Sequence, residues 1–316
     1  MANIANDGFI LTWAGECCAW ECDELGHLNM RHYVNKFSQA RQFIFIKLGL
    51  VNAFKPHAQS SVRVKNLHIK YLGEARPGDP LKIMSAVLSV QDQTITLCHI
   101  MYHTDDRIAA TQVETIEHIY LRNYKTFAWP KRLLKNAISV SASCPDSPPQ
   151  PAMSRNIDIQ TPHIGHNSST FDTLGLAPLG AGVFTAAEMN AAGFATPEAV
   201  FGRSTSTAGW FSHGWPELFD ASYQAGHGSA AVLEIYIVFH KDPCQGDAYE
   251  YRSAILAANS YTRTFLHNFN DAVTGECLSS SVVNGCLFNL KDRKLTKANE
   301  AQLAVLQPFI REDLTP

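Results

Sequence analysis

The chain has 316 residues, of which 46% are apolar and 17% are charged, and its net charge is −3. This length allows one large hydrophobic core or two ordinary ones, and the usual domain size of roughly 150 residues favours two. Lysine and arginine are scattered along the sequence, so no basic field indicates binding to nucleic acid or to an anionic membrane.

The first residues, MANIANDGF, lack the positive segment and the apolar segment of a secretory signal. No apolar run reaches the ~18 residues that a membrane span needs. The sequence therefore predicts a soluble, cytoplasmic protein whose eight cysteines are reduced.

Cys17, Cys18 and Cys22 lie close together, but a metal site would need a second group of ligands, so we predict no metal. Apolar packing suits these thiols better, with a nucleophilic Cys22 as the alternative.

Residues 8–20 read as a strand, and the segment that follows begins polar and then becomes a long helix. From Met30 onward, apolar residues recur at spacings of three and four and fall on one helical face: Tyr33, Phe37, Ala40, Ile44 and Leu48. The last turns are apolar almost all round, which is typical of an enclosed helix.

Four strand-like runs follow the helix, at 61–72, 81–91, 94–104 and 110–123. They are separated by turn sequences, of which Arg76-Pro77-Gly78-Asp79 is the clearest. A short connecting helix is predicted over Pro130–Ala137, before a stretch rich in proline and serine. We therefore predict a domain over 1–140 and a linker over 141–154.

The second half repeats the pattern of the first. A constant offset of 246 − 78 = 168 pairs Gly78 with Gly246, Ser85 with Ser253 and His99 with His267. Around the helix we apply an offset of 190 − 29 = 161, which pairs Asn29 with Asn190, Tyr33 with Phe194, Asp23 with Phe184 and His27 with Glu188. The second helix begins at Asn190 or at Pro197. The second domain is predicted over 155–293, with a C-terminal helix within 294–316.

A group of polar residues lies at the mouth of the first helix. The pattern D-x-x-G-H-x-N-x-x-x-Y, formed by Asp23, Gly26, His27, Asn29 and Tyr33, resembles the start of hotdog-fold acyl-thioester hydrolases of the hydroxybenzoyl-CoA thioesterase kind. The resemblance implies an α+β, tandem (double) hotdog fold, in which each half is an antiparallel sheet wrapped around a long central helix. The alternative is that Asp23 or Asn29 only caps the helix and His27 is an ordinary loop histidine.

The same resemblance implies an acyl-CoA hydrolase that releases a free acid and CoA. Asp23 is then the nucleophile or general base, and His27 and Asn29 position water or polarise the carbonyl. N–H groups at a helix start, near Met30 or in the partner half, hold the oxyanion. Glu21 is the competing carboxylate. Glu188 is a candidate for a second site, although Phe184 opposite Asp23 predicts one productive site per chain. Coenzyme A enters as part of the substrate, with an acyl-carrier thioester as the alternative partner. A homo-oligomer of such chains and a single chain both stay open.

Two other functions stay open at this stage: a hydratase or dehydratase acting on acyl thioesters, and a non-catalytic acyl-CoA binding protein. No side chain is assigned to the phosphates of coenzyme A. The available cations are interpreted as ordinary solvated charges: Lys36, Arg41, Lys70, Arg76 and Arg122.

Overall fold

The computed structural model describes residues 8–143, 157–159, 165–212 and 214–314. Among these, the residues below 144 and Glu188–Gly202 form one compact unit, and the remaining residues form a second. The sequence analysis had placed Glu188–Gly202 in the second domain. The boundaries 1–140 and 155–293 stay predictions, and the linker 141–154 lies almost wholly outside the described residues.

The first unit contains an antiparallel sheet and two main helices. Its elements are β1 (Ile10–Glu16), α1 (Met30–Leu48), β2 (Ser60–Tyr71), β3 (Pro80–Val90), β4 (Thr94–His103), β5 (Ile108–Tyr120) and α2 (Lys131–Ile138). The strands lie in the order β1-β3-β4-β5-β2. The predicted strand runs and the short connecting helix are confirmed, with ends that differ by a few residues.

Helix α1 is enclosed, as its sequence predicts. All five residues of the apolar stripe are at most 4% exposed: Tyr33, Phe37, Ala40, Ile44 and Leu48. The helix packs against β1, β3 and β4. Burying one large apolar side chain contributes about 1.5–3 kcal/mol, so the stripe is a main source of stability for this unit.

Charged groups also lie inside the first unit, on the face of α1 that meets the sheet. Arg41 Nη1 donates to Glu114 Oε2 over 2.7 Å, and neither side chain is more than 7% exposed. The other carboxylate oxygen of Glu114 lies 3.0 Å from His99 Nε2. Burial alone would raise the pKa of Glu114, but Arg41 and His99 more than offset burial and the pKa is lowered.

The expectation of solvated cations is wrong for three side chains of α1 and β2. Lys36, Lys70 and Arg41 are 3%, 3% and 6% exposed. A buried cation needs a partner that offsets its lost hydration, and Glu114 provides one for Arg41. The sequence pattern does not show such partners, because they come from distant parts of the chain.

The second half of the chain repeats the order of sheet elements. Its helices and strands are α3 (Phe171–Leu174), β6 (Ala177–Val183), α4 (Pro197–Ser206), α5 (Ala221–Ala225), β7 (Gly228–Phe239), β8 (Ala248–Ala258), β9 (Thr262–Asp271), β10 (Cys277–Asn289), β11 (Lys294–Leu295) and α6 (Glu300–Leu306). The strands lie in the order β7-β10-β9-β8-β6, and β11 pairs with β10. Ser253 on β8 is paired with His267 on the neighbouring strand β9, just as Ser85 on β3 is paired with His99 on β4. This pairing confirms the offset of 168 in the sheet.

Helix α4 differs from α1 in length. It begins at Pro197, one of the two predicted starts, and has 10 residues where α1 has 19. A proline at the first helical position lacks only an N–H that would have no partner in the helix. No helix of the described residues is long and apolar enough to cross a membrane.

Candidate active site

The loop before α1 is a tight turn that brings Asp23 and His27 together. The Asp23 N–H donates to His27 O over 3.1 Å, and the Gly26 N–H donates to Asp23 O over 3.0 Å. Gly26 has φ of 77°, a left-handed conformation that glycine adopts without steric cost. Cys22 and Leu28 close the turn as an isolated antiparallel bridge. The spacing of the D-x-x-G-H motif thus follows from the geometry of one turn.

The Asp23 carboxylate and the His27 ring lie side by side at this turn. Asp23 Oδ1 is 3.6 Å from His27 Nδ1, and the two side chains are 16% and 19% exposed. Burial raises the pKa of Asp23, while His27 and the Leu25 N–H, which donates to Asp23 Oδ1 over 3.0 Å, act in the opposite direction. The carboxylate is thus partly dehydrated and still open to solvent, which suits a group that exchanges protons.

Asn29 caps helix α1. Its Oδ1 accepts a hydrogen bond from the Arg31 N–H over 3.0 Å, and its backbone O accepts one from the His32 N–H over 2.8 Å. Among the described residues, the Met30 N–H makes no hydrogen bond to a backbone carbonyl. The positive end of the helix dipole and this N–H favour an oxygen that carries negative charge. The capping hydrogen bond uses Asn29 Oδ1, so the side-chain nitrogen, Nδ2, can still donate a hydrogen bond to a ligand.

Glu21 is committed to holding the loop. Both of its carboxylate oxygens accept from Lys36 Nζ at 2.7 Å, and Oε2 also accepts from the Cys18 N–H at 2.9 Å. Burial would raise the pKa of Glu21, but these hydrogen bonds outweigh it and the pKa is lowered. The Glu21 backbone O accepts from the Asn29 N–H over 2.9 Å. A carboxylate with these contacts joins the two ends of the loop and is a weaker base than Asp23.

The turn before α4 repeats the backbone hydrogen bonds of the turn before α1, but at an offset that differs from the predicted 161. The Asn190 N–H donates to Phe194 O over 2.8 Å, as the Asp23 N–H does to His27 O, an offset of 190 − 23 = 167. The Thr196 N–H donates to Glu188 O over 2.9 Å, which repeats the contact between Asn29 and Glu21. The offset of 161 is therefore wrong.

The corrected offset changes which residues correspond. Asp23 corresponds to Asn190, His27 to Phe194, Asn29 to Thr196, Glu21 to Glu188 and Cys17 to Phe184. Asn190 Oδ1 accepts from the Ala192 N–H over 2.8 Å, so the amide keeps the turn that the carboxylate of Asp23 makes. The second turn thus retains the shape of the first and lacks its ionisable pair. A signal for this alignment was present in the sequence, since Gly26 and Gly193 each lie three residues after the matched position.

The sequence-derived site residues are thus distributed over two turns. Asp23, His27 and Asn29 lie in one turn of the first unit. Glu188 takes the position of Glu21 in the repeated turn, where it is 7% exposed, and it does not correspond to His27. Lys36 was missed as a partner of this loop, because 15 residues separate it from Glu21 in the sequence.

Comparison with known proteins gives matches in sequence and in fold. Residues 17–137 match the model of a family described as the thioesterase-like superfamily. Over 113 residues the chain is 25% identical to the L-carnitine dehydrogenase/betainyl-CoA thioesterase of Agrobacterium fabrum (strain C58 / ATCC 33970). That alignment covers 36% of this chain and 23% of the relative, so the match spans about a quarter of the relative's length.

Solved structures resemble most of the chain. A 12:0-ACP thioesterase from Umbellularia californica gives a TM-score of 0.66 at 8% identity, covering 88% of this chain and 93% of that one. An acyl-ACP thioesterase from Bacteroides thetaiotaomicron gives 0.63 at 12% identity, covering 88% and 98%. At such identities the likeness concerns the fold, and it confirms the predicted α+β tandem hotdog.

Proposed function

We propose, from the match of residues 17–137 to the model of the thioesterase-like superfamily, that this chain hydrolyses acyl thioesters to a free acid and a thiol. The observation that carries the proposal is the turn before α1. It holds a partly buried carboxylate, Asp23, 3.6 Å from the His27 ring and beside the N-terminus of a helix. Acyl transfer requires a base or nucleophile together with donors for the oxyanion, and this turn contains both.

In the proposed reaction, Asp23 acts on the thioester carbonyl either directly or through a water molecule from which it takes a proton. Attack places negative charge on the carbonyl oxygen, and the Met30 N–H at the positive end of α1 is the donor that we assign to it. His27, whose Nδ1 lies 3.6 Å from Asp23 Oδ1, lowers the pKa of that carboxyl group and so favours its charged form. The Asn29 amide nitrogen orients the water or the carbonyl.

The substrate that we propose is an acyl-CoA, with an acyl-carrier protein thioester as the alternative. The curated relative carries betainyl-CoA thioesterase in its name, and the two similar solved structures are named an acyl-ACP thioesterase and a 12:0-ACP thioesterase. Coenzyme A is part of the substrate, and the proposed chemistry uses no other cofactor.

The proposal is tested with a panel of acyl-CoAs and a thiol reagent, comparing the wild type with Asp23→Asn. We expect the substitution, which is nearly isosteric, to keep the fold and to lower turnover by at least about 10²-fold, because a positioned acid or base contributes that much. Glu24→Gln is the matched control, because it removes an exposed carboxylate from the next position and should leave turnover within a few fold.

Turnover of Asp23→Asn within about two- to threefold of wild type, far less than the roughly 10²-fold loss expected for a positioned acid or base, would contradict the assignment. A change in acyl absorbance without release of free thiol would instead indicate hydration chemistry. Binding without either change would indicate a non-catalytic acyl-CoA binding protein.

A further inference from the structure

Two cysteine thiols lie in contact immediately before the Asp23 turn. Cys17 Sγ is 3.5 Å from Cys22 Sγ, and Cys22 Sγ also lies 3.6 Å from Cys18 O. Cys17 is completely buried, whereas Cys22 is partly exposed. The proposed hydrolysis uses neither thiol. All seven cysteines in the described ranges are free.

We propose that Cys17 and Cys22 form a reversible disulfide when the protein meets hydrogen peroxide, and that this bond lowers turnover by displacing the Asp23 turn. A disulfide has sulfur atoms about 2.05 Å apart, so the two thiols need to approach by only about 1.5 Å. No rearrangement of distant parts of the chain is required. The effect on turnover rests on the proposed function, whereas the bond itself does not.

The exposure of the two thiols sets the order of the steps. Burial raises the pKa of Cys17 to about 12, so this thiol stays protonated and hidden. Cys22 is the thiol that a small oxidant reaches first. Its thiolate attacks one peroxide oxygen, the O–O bond breaks, and hydroxide leaves, giving a sulfenic acid on Cys22.

The second step closes the bond. Cys17 Sγ attacks Cys22 Sγ, the S–O bond of the sulfenic acid breaks, and the departing hydroxide takes the Cys17 proton to form water. In total, two thiols and one hydrogen peroxide give one disulfide and two waters. The sulfurs are oxidised by two electrons and the peroxide is reduced by two. An excess of external thiol reverses the reaction by exchange.

Backbone contacts indicate which side of the pair would move. The Cys17 N–H donates to Asp79 O over 2.9 Å, and Cys17 O accepts from the Gly78 N–H over 2.8 Å. Cys17 is thus held to the turn between β2 and β3. Cys22 belongs to the turn that carries Asp23; its N–H donates to Ala19 O over 3.3 Å, and it pairs with Leu28 across the turn. Closing the sulfur–sulfur distance would therefore pull Cys22 and Asp23 away from their positions at α1.

The bond can be mapped without measuring activity. The oxidised protein is unfolded, alkylated and cleaved after glutamate, which cuts the chain after Glu16, Glu21 and Glu24. Cys17 and Cys22 then lie in separate fragments unless the disulfide joins them. We expect a joined pair in oxidised wild type, its loss after reduction by dithiothreitol, and its absence in Cys17→Ala and Cys22→Ala. Cys18→Ala is the matched control and should still form the bond.

The effect on turnover is measured on the same samples. Since a misplacement of ~1 Å can cost about 10²-fold in rate, we expect oxidised wild type to lose at least about 10-fold and to recover with dithiothreitol. Cys22→Ala and Cys17→Ala should keep their turnover after the same treatment, whereas Cys18→Ala should lose it as wild type does.

Several outcomes would overturn the inference. Over-oxidation of Cys22 to sulfinic acid without a joined pair would contradict the modification site, as would a bond that uses Cys18. A joined pair with unchanged turnover would contradict its regulatory effect. A joined pair in a protein that hydrolyses no thioester would support the modification site and overturn the proposed function instead.

Discussion

At Asp23, two physical effects act in opposite directions on one carboxyl group. Partial burial disfavours the charged form, and the neighbouring His27 favours it. Burial dominates, so the pKa of Asp23 lies above its usual value of 3.8. A carboxylate in this state takes up a proton more readily than an exposed one, which is the property that a general base requires.

The raised pKa of Asp23 leads to a pH dependence that can be measured. Hydrolysis needs the charged form of Asp23. A plot of kcat/KM against pH should therefore have an ascending limb whose apparent pKa lies above 3.8. His27→Ala removes the charge that lowers the pKa of Asp23, so the limb should move to higher pH. A pH profile of kcat/KM for both proteins checks this expectation. A limb at or below 3.8, or one that stays in place in His27→Ala, would contradict it.

At the level of elements, the N-terminus of α1 and the loop before it act as one assembly. Glu21 accepts hydrogen bonds from Lys36 on α1 and through its backbone from Asn29. These contacts attach the loop to the first two turns of the helix. Farther along, Arg41 attaches the same helix to β5 through Glu114, so polar contacts hold α1 at two places along its length.

The buried pair between Arg41 and Glu114 gives a stability test. Arg41→Met leaves the Glu114 carboxylate without its cation, and breaking such a pair from one side costs about 3–5 kcal/mol. Arg41→Met combined with Glu114→Leu should cost less, because no charge is then left buried. Urea unfolding of the wild type, the single variant and the double variant measures the difference.

The low pKa of Glu114 gives the same pair a pH dependence. Its folded pKa lies below the ordinary value of 4.5, so its contribution to stability is present above that value and is lost as the pH falls through the folded pKa. The double variant should lose less stability over this range. Equal costs for the single and double variants, or equal acid sensitivity of wild type and double variant, would contradict the role of the pair.

At the level of the whole molecule, the chain contains one turn with the ionisable pair and one turn with the same backbone and different chemistry. Asn190 and Phe194 occupy the places of Asp23 and His27. An amide cannot take a proton from water at ordinary pH, and a phenyl ring cannot carry charge. The two halves of the chain are therefore expected to be unequal in function while they share a fold.

This inequality sets the number of productive sites. A non-hydrolysable acyl-CoA analogue should saturate near one equivalent per chain in calorimetry, and Asp23→Asn should remove nearly all turnover. Glu188→Gln should cost far less turnover, because Glu188 takes the place of the loop-holding Glu21. Two equivalents bound, together with about half of the turnover retained in Asp23→Asn, would show that the second half has its own working site.

The secondary-structure elements and the internal repeat could be predicted from the amino-acid sequence. The stripe of apolar residues in α1 and the alternation in the strands depend on periods of a few residues, which are visible locally. The offset of 168 in the sheet held because a strand cannot slip by one residue without moving its buried side chains to the opposite face. The Asp23 turn was found through its motif, whose spacing is set by a single hydrogen-bonded turn.

Contacts between residues that are distant in sequence became visible in the folded chain. The offset of 161 failed because an asparagine was matched to an asparagine, whereas the backbone hydrogen bonds place Asn190 opposite Asp23. The sequence predicts a solvated Arg41 because its partner, Glu114, lies 73 residues away. A charge is stable inside a protein when the fold brings it an opposite charge, and no local pattern records that meeting.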